Sequence, residues 1–140
     1  MIWNQLKRLR NSFIAYGNAK IIEAVKNGHA KKVRFLLTLG VNPNVKESSG
    51  VTLLMLACAK SHLEIISLLL DHKASLYEKD NDGWTACKWA YFKNDHDVIA
   101  LLKHYTKLHP FYNEGDSKIN VLGDALLVIN AIKCDALYQR

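Results

Sequence analysis

The chain has no apolar run long enough to cross a bilayer. A span needs roughly 18 consecutive apolar residues, and the longest candidate, residues 125–132, is interrupted by Asn130. The N-terminus also lacks an unbroken apolar stretch, so no secretory signal is expected. Cysteine is scarce and odd in number: Cys58, Cys87 and Cys134 stand alone, with no CxxC and no paired spacing. That pattern excludes a disulfide framework and the usual zinc-binding spacings, and it predicts three reduced thiols in a cytoplasmic protein. Acidic residues are nearly missing from the first quarter. Residues 1–34 hold eight basic groups (Lys7, Arg8, Arg10, Lys20, Lys26, Lys31, Lys32 and Arg34) against Glu23 alone, while the rest of the chain holds eleven basic and twelve acidic groups. The whole net charge of +6 therefore comes from one end. Such an end can attract acidic protein, anionic lipid or nucleic acid, or it can simply form the solvated faces of two surface helices.

A catalytic constellation is missing as well. Of the six histidines, His96 lies in Asp95-His96-Asp97, the nearest approach to a metal cluster. Adjacent residues on a helix cannot all turn toward one ion, so no metal is expected there. Gly17, Gly28, Gly40, Gly50 and Gly83 build no phosphate-binding loop, and no Ser or Thr stands in a nucleophile elbow. Enzymatic activity and a cofactor are not expected. At 140 residues, with 49% hydrophobic and 23% charged residues, the chain reads as one soluble globular domain large enough to bury a core.

What is present is a period of 33 residues. Gly50-Val51-Thr52 returns as Gly83-Trp84-Thr85, and Ala24, Ala57 and Ala90 fall at the same spacing. So do Val33, Ile66 and Ile99, and Leu36, Leu69 and Leu102. A repeat of this length is one supersecondary unit that cannot bury its apolar face alone, so copies stack, and about three are needed for stability. Leu63, Ile66, Leu69 and Leu70 recur at helical spacing after a short apolar run, Leu53, Leu54, Leu56 and Ala57. Helices of about ten residues do not stand alone in water, so stacking must stabilise them. A stack offers an extended surface for a partner and no inherent active site.

The residues behind the period resemble the ankyrin repeat. That pattern opens with a turn, D-x-x-G-x-T-P-L-H-x-A-A, continues through two short antiparallel helices with G-H between them, and closes on G-A-D-x-N. Residues 50–62 fit the first half and residues 65–75 the second. The next copy begins at Asp80-Asn81-Asp82-Gly83-Trp84-Thr85 and runs through Leu101-Leu102. A degenerate earlier copy starts near Gly17 and keeps Ala24, Gly28-His29, Val33 and Gly40-Val41-Asn42-Pro43-Asn44. His29 and His62 match the inter-helix turn and are structural on this mapping. Some positions depart from the pattern. Leu53 and Ala86 replace its Pro, Met55 and Lys88 replace its His, Lys73 replaces a helix-ending Gly, and Tyr77 replaces the closing Asn. The resemblance implies an all-α solenoid of paired antiparallel helices with turn tips, with repeats at 17–49, 50–82 and 83–105.

The flanks then read as covers for the stack within a single domain, 1–140. Residues 1–16 are expected to form an N-terminal capping helix. Ile2, Leu6, Leu9 and Phe13 lie on one stripe with Trp3 beside it, and Lys7, Arg8 and Arg10 lie off it. A basic amphipathic helix of this kind also suits a peripheral position on anionic lipid. Residues 106–140 read as a loop followed by a C-terminal capping helix over 118–138, for which self-association is the other use.

Family members bind partners through the turn tips and the first-helix face. On that mapping the outward positions are Lys26 and Asn27 in the first copy, Ser48, Ser49, Val51 and Lys60 in the second, and Asn81, Asp82, Trp84, Phe92 and Lys93 in the third. Trp84 and Phe92 are the residue type that dominates interface energetics. Trp89 matches Leu56 and is expected in the core. The resemblance therefore implies a non-enzymatic protein–protein interaction module, with a peripheral membrane-associated regulator as the alternative. Nucleic acid fits less well, because the aromatics do not interleave with the cations.

Overall fold

Local signals decide where each helix starts, and the computed structural model describes residues 1–108. It contains six helices: α1 (Ile2–Lys26), α2 (Ala30–Thr38), α3 (Leu53–Ala59), α4 (Leu63–Asp71), α5 (Ala86–Phe92) and α6 (His96–Leu108). Thr52 caps α3, its hydroxyl accepting the Met55 N–H at 3.2 Å, and Thr85 caps α5 in the same way from Lys88 at 3.3 Å. Met55 stands where the repeat pattern has His, and its Sδ takes over a local role by accepting the Thr52 N–H at 3.4 Å. The third outer helix has a side-chain cap of its own. Asp95 Oδ1 accepts the Val98 N–H at 3.2 Å, and a hydrogen bond from the Ser61 side chain, followed by that N–H, holds the carboxyl below the usual carboxylate range.

The helices pair and stack in chain order. α1, α3 and α5 form an inner row, α2, α4 and α6 an outer row, and each inner helix packs on its own outer partner. The core runs continuously between the rows: Ile21, Val33, Leu53, Leu54, Ile65, Ile66, Leu69, Leu70 and Val98 are all essentially inaccessible. Burying one such side chain stabilises by about 1.5–3 kcal/mol, and here much of that area is shared between neighbouring repeats. The turns between paired helices use equivalent positions with left-handed backbone, Gly28 (φ 72°), Ser61 (φ 60°) and Asn94 (φ 54°). Polar bonds also cross from repeat to repeat. Asn44 Oδ1 accepts the Ser75 N–H at 2.7 Å, and the Tyr105 hydroxyl donates to Asp71 at 2.5 Å.

Two boundaries differ from those read in the sequence. No break separates a capping helix at residue 16 from a first repeat at 17, because α1 is continuous through both. The reason is local. Ala19 occupies the position of the caps Thr52 and Thr85 and offers no acceptor, and no proline precedes Pro43, so nothing ends the helix. Residues 1–16 are exposed and the first buried residue is Gly17, so the described structure does not fold this segment back over the first repeat. At the other end α6 continues to Leu108, past the expected boundary at 105. The remainder of the expected loop and the C-terminal capping helix, with Cys134, lie outside the described residues. No described helix is long and apolar enough to cross a membrane.

Candidate protein-binding surface

Two turn tips and the inner-helix row supply the surface. The first tip closes with the Glu47 N–H donating to Val51 O and the Gly50 N–H to Glu47 O, both at 2.9 Å. The second repeats this with the Asp80 N–H to Trp84 O at 3.0 Å and the Gly83 N–H to Asp80 O at 2.9 Å. Both tips need a glycine at φ 77°. They are also fastened to each other. Asn81 donates its backbone N–H to Ser49 O at 3.0 Å and its side-chain amide to Ser48 O at 3.2 Å. A Cβ at Gly50 would meet Asn81 Oδ1 at 2.6 Å, so glycine is required there for the close approach as well as for its φ.

Asp80 anchors the second tip. Its side chain is buried, with one carboxylate oxygen accepting the N–H groups of Asp82 (3.0 Å) and Trp84 (2.8 Å) and the other accepting the Trp89 indole N–H (3.1 Å). This arrangement sets an aromatic cluster on the third repeat. The Trp84 ring lies 5.2 Å from that of Trp89, tilted at 56°, and 5.3 Å from that of Phe92 in an edge-on contact. Lys88 Nζ sits 4.4 Å from the Trp84 ring centre, a cation–π contact. Trp84 is half-buried in this cluster, while Phe92 is 68% exposed.

The expected outward residues divide into two groups. Lys60, Asp82, Phe92, Lys93, Ser48, Ser49 and Asn27 are exposed. The others are partly engaged: Lys26 pairs with Glu47, Asn81 holds the first tip, and Val51 is half-buried against the core. Two further residues join the face. Trp89 is not a core residue, contrary to the expectation from its register. It is half-buried at the edge of the core, as the position itself is, and its indole N–H is bonded to Asp80. Leu56, its equivalent one repeat earlier, is half-buried too. Lys88 is the second. It replaces a family histidine, which hides it from the family mapping, although its place one turn after Trp84 is legible in the sequence.

Three of the four tip acids are engaged internally, while the fourth, Asp82, is exposed. Glu47 pairs with Lys26, Glu78 with Lys46 at 2.5 Å, and Asp80 with the three N–H groups. Lys60 and Lys93 form no ion pair among the described residues, and Lys88 contacts only a ring in that set. The face thus presents exposed aromatic area with Lys88 against the Trp84 ring, and Lys60 and Lys93 are exposed. Burial pushes the Cys58 thiol far above the ordinary thiol range, and Cys87 is half-buried. Among the described residues no group of three or more His, Cys, Asp or Glu side chains could hold a metal ion.

Comparison with known proteins agrees with this architecture. Residues 21–111 match the family model described as ankyrin repeats in three copies. The chain is 37% identical over 82 residues to an ankyrin repeat-containing protein of Treponema pallidum, covering 59% of this chain and 28% of that protein. It is 38% identical over 115 residues to a glycerophosphocholine phosphodiesterase of Schizosaccharomyces pombe, covering 76% of this chain and 10% of the relative. A serine/threonine-protein kinase of Arabidopsis thaliana is 28% identical over 94 residues, 67% of this chain and 20% of the kinase. The chain thus spans between a tenth and just over a quarter of these relatives. A likeness confined to a tenth of the phosphodiesterase carries no catalysis to this chain.

Proposed function

Because the chain belongs to the ankyrin-repeat family, whose members are protein-interaction modules, we propose that it holds one protein partner on the face built by the two tips and helices α3 and α5. Its activity is occupancy, by blocking, tethering or scaffolding, and involves no catalysed reaction. The working location is the cytoplasm, where thiols such as those of Cys58 and Cys87 stay reduced. The observation that carries this reading is the Trp84–Trp89–Phe92 cluster, held by Asp80 with Lys88 against the Trp84 ring. An exposed ring on a rigid backing gives contact area at little cost in side-chain entropy. Exposed lysines outnumber the one exposed tip acid, Asp82, on this face, which favours a partner segment that presents an apolar side chain among carboxylates.

Affinity capture from a native lysate, comparing the wild-type chain with Phe92→Ala, tests the reading. Phe92 is exposed, so the variant should keep the wild-type unfolding midpoint. It should weaken the captured interaction by about 2 kcal/mol, roughly 30-fold. Equal capture by both proteins would move the binding face away from α5.

A further inference from the structure

The largest concentration of uncovered apolar surface lies away from that face, on the first half of α1. Ile2, Trp3, Leu6, Leu9, Phe13 and Ile14 are between 46% and 75% exposed. Further along the same helix the apolar face is covered, with Gly17, Ile21, Ala24 and Val25 buried. The apolar pattern therefore runs the length of α1, and its cover among the described residues begins only at Gly17. The charges beside the uncovered part have one sign. Lys7, Arg8 and Arg10 lie on this half and no acid precedes Glu23, while the adjacent helix α2 adds exposed Lys31 and Lys32.

We propose that residues 2–14 dock on an anionic membrane surface, lying in the plane of the lipid headgroups with the apolar strip inward. Three observations select this occupant. The helix is amphipathic rather than apolar all round, and no described helix is suited to spanning, so an in-plane position is the one that fits. The stem of Lys7 lies beside the strip and Arg10 sits within it, one turn from both Leu6 and Ile14, so both heads can reach outward to phosphate while their methylenes stay with the lipid. A second copy of this chain would instead bring Lys7, Arg8 and Arg10 against the same cations with no acid between them, which the lipid surface avoids. The proposal does not rest on the proposed function, because it uses only the first half of α1.

Co-sedimentation of the full chain with vesicles decides it. The vesicles are phosphatidylcholine alone and phosphatidylcholine mixed with phosphatidylserine, each at low and high salt. The wild-type chain should pellet with the mixed vesicles, not with phosphatidylcholine alone, and should be released by salt. The triple variant Lys7→Gln, Arg8→Gln, Arg10→Gln should bind the mixed vesicles roughly 100-fold more weakly. The pair Leu9→Asp and Phe13→Asp should abolish pelleting. Both variants should keep the wild-type unfolding midpoint, because these side chains are outside the core. The wild-type comparison of lipids and salts stands even if a variant fails to fold. Absence of binding to the mixed vesicles at low salt, or equal binding to both vesicle types, would overturn the proposal. So would a dimer at sedimentation equilibrium that Phe13→Asp dissociates, which assigns the strip to a second copy. Strong hydrogen-exchange protection of residues 2–14 in the lipid-free monomer would likewise assign it to this chain's own residues.

Discussion

Gly17, Gly50 and Gly83 stand at the same place in the 33-residue register, and the chain around them does two different things. At 50–52 and 83–85 the glycine takes a left-handed conformation, the threonine two residues on caps an inner helix, and a turn tip projects. At 17–19 the glycine is buried inside α1, the cap position is Ala19, and the helix runs straight through. Gly17 is kept for a different reason, since a Cβ there would meet Val41 Cγ2 at 2.9 Å. The same small residue thus serves a turn in two repeats and a close helix approach in the third. A repeat register locates the core, whereas the cap residue decides whether a tip is built. One consequence is functional. The described structure has two tips to offer a partner, and where the first would stand a long helix extends beyond the stack.

The contrast between stacked and overhanging helix can be tested by truncating one leucine in each. Leu69 is fully buried between repeats, and Leu69→Ala should cost about 2–5 kcal/mol. Leu9→Ala, on the uncovered half of α1, should change stability by less than about 0.5 kcal/mol. Urea titrations that keep the same slope and differ in midpoint would give both values. A Leu9→Ala loss comparable to that of Leu69→Ala would mean that the first half of α1 is buried in solution.

Loss of a helix cap should have a smaller effect than loss of a core leucine. Thr85→Ala removes the acceptor for the Lys88 N–H and should destabilise by about 1 kcal/mol. It should also loosen the Trp84 cluster, visible as a change in tryptophan emission. The reciprocal change, Ala19→Thr, introduces a residue of lower helix propensity inside a continuous helix and should cost only about 0.5 kcal/mol. If Ala19→Thr instead stabilised the array, a tip in the first repeat would be within reach of a single substitution.

A further substitution sharpens the comparison between helix ends. Gly40 and Lys73 are equivalent, and both have positive φ, 90° and 65°. Lysine in that region costs about 1–2 kcal/mol, and glycine returns about 0.5–1 kcal/mol of this through the entropy of the unfolded chain. Lys73→Gly should therefore raise stability by about 0.5–1 kcal/mol, read from the unfolding midpoint.

Much of the architecture is legible residue by residue. The register of Ala57, Ile66, Leu69 and Leu102 identifies residues that are buried in the structure, and Gly-x-Thr marks the two tips where they occur. The candidate face is legible only in part. Phe92, Lys60 and Lys93 are exposed as the family resemblance implies, yet analogy with Leu56 points Trp89 to the core. The analogy is sound in position, for both are half-buried, but position alone does not say that an indole will turn its N–H to Asp80. Asp80 itself looks like an ordinary turn residue in the sequence, because the three N–H groups it gathers come together only in the folded tip.

By itself the sequence determined the repeat length, the helical class and many of the side chains that avoid water, because these follow from spacing and hydrophobicity along the chain. Only the tertiary structure decided that α1 continues past the repeat boundary with half its apolar face uncovered. It also decided that the tips lock together through Asn81, and that Asp80 sets an aromatic cluster with Lys88 against one of its rings. Those outcomes depend on which groups from different repeats come within hydrogen-bonding or ring-contact distance, and stacking sets those distances.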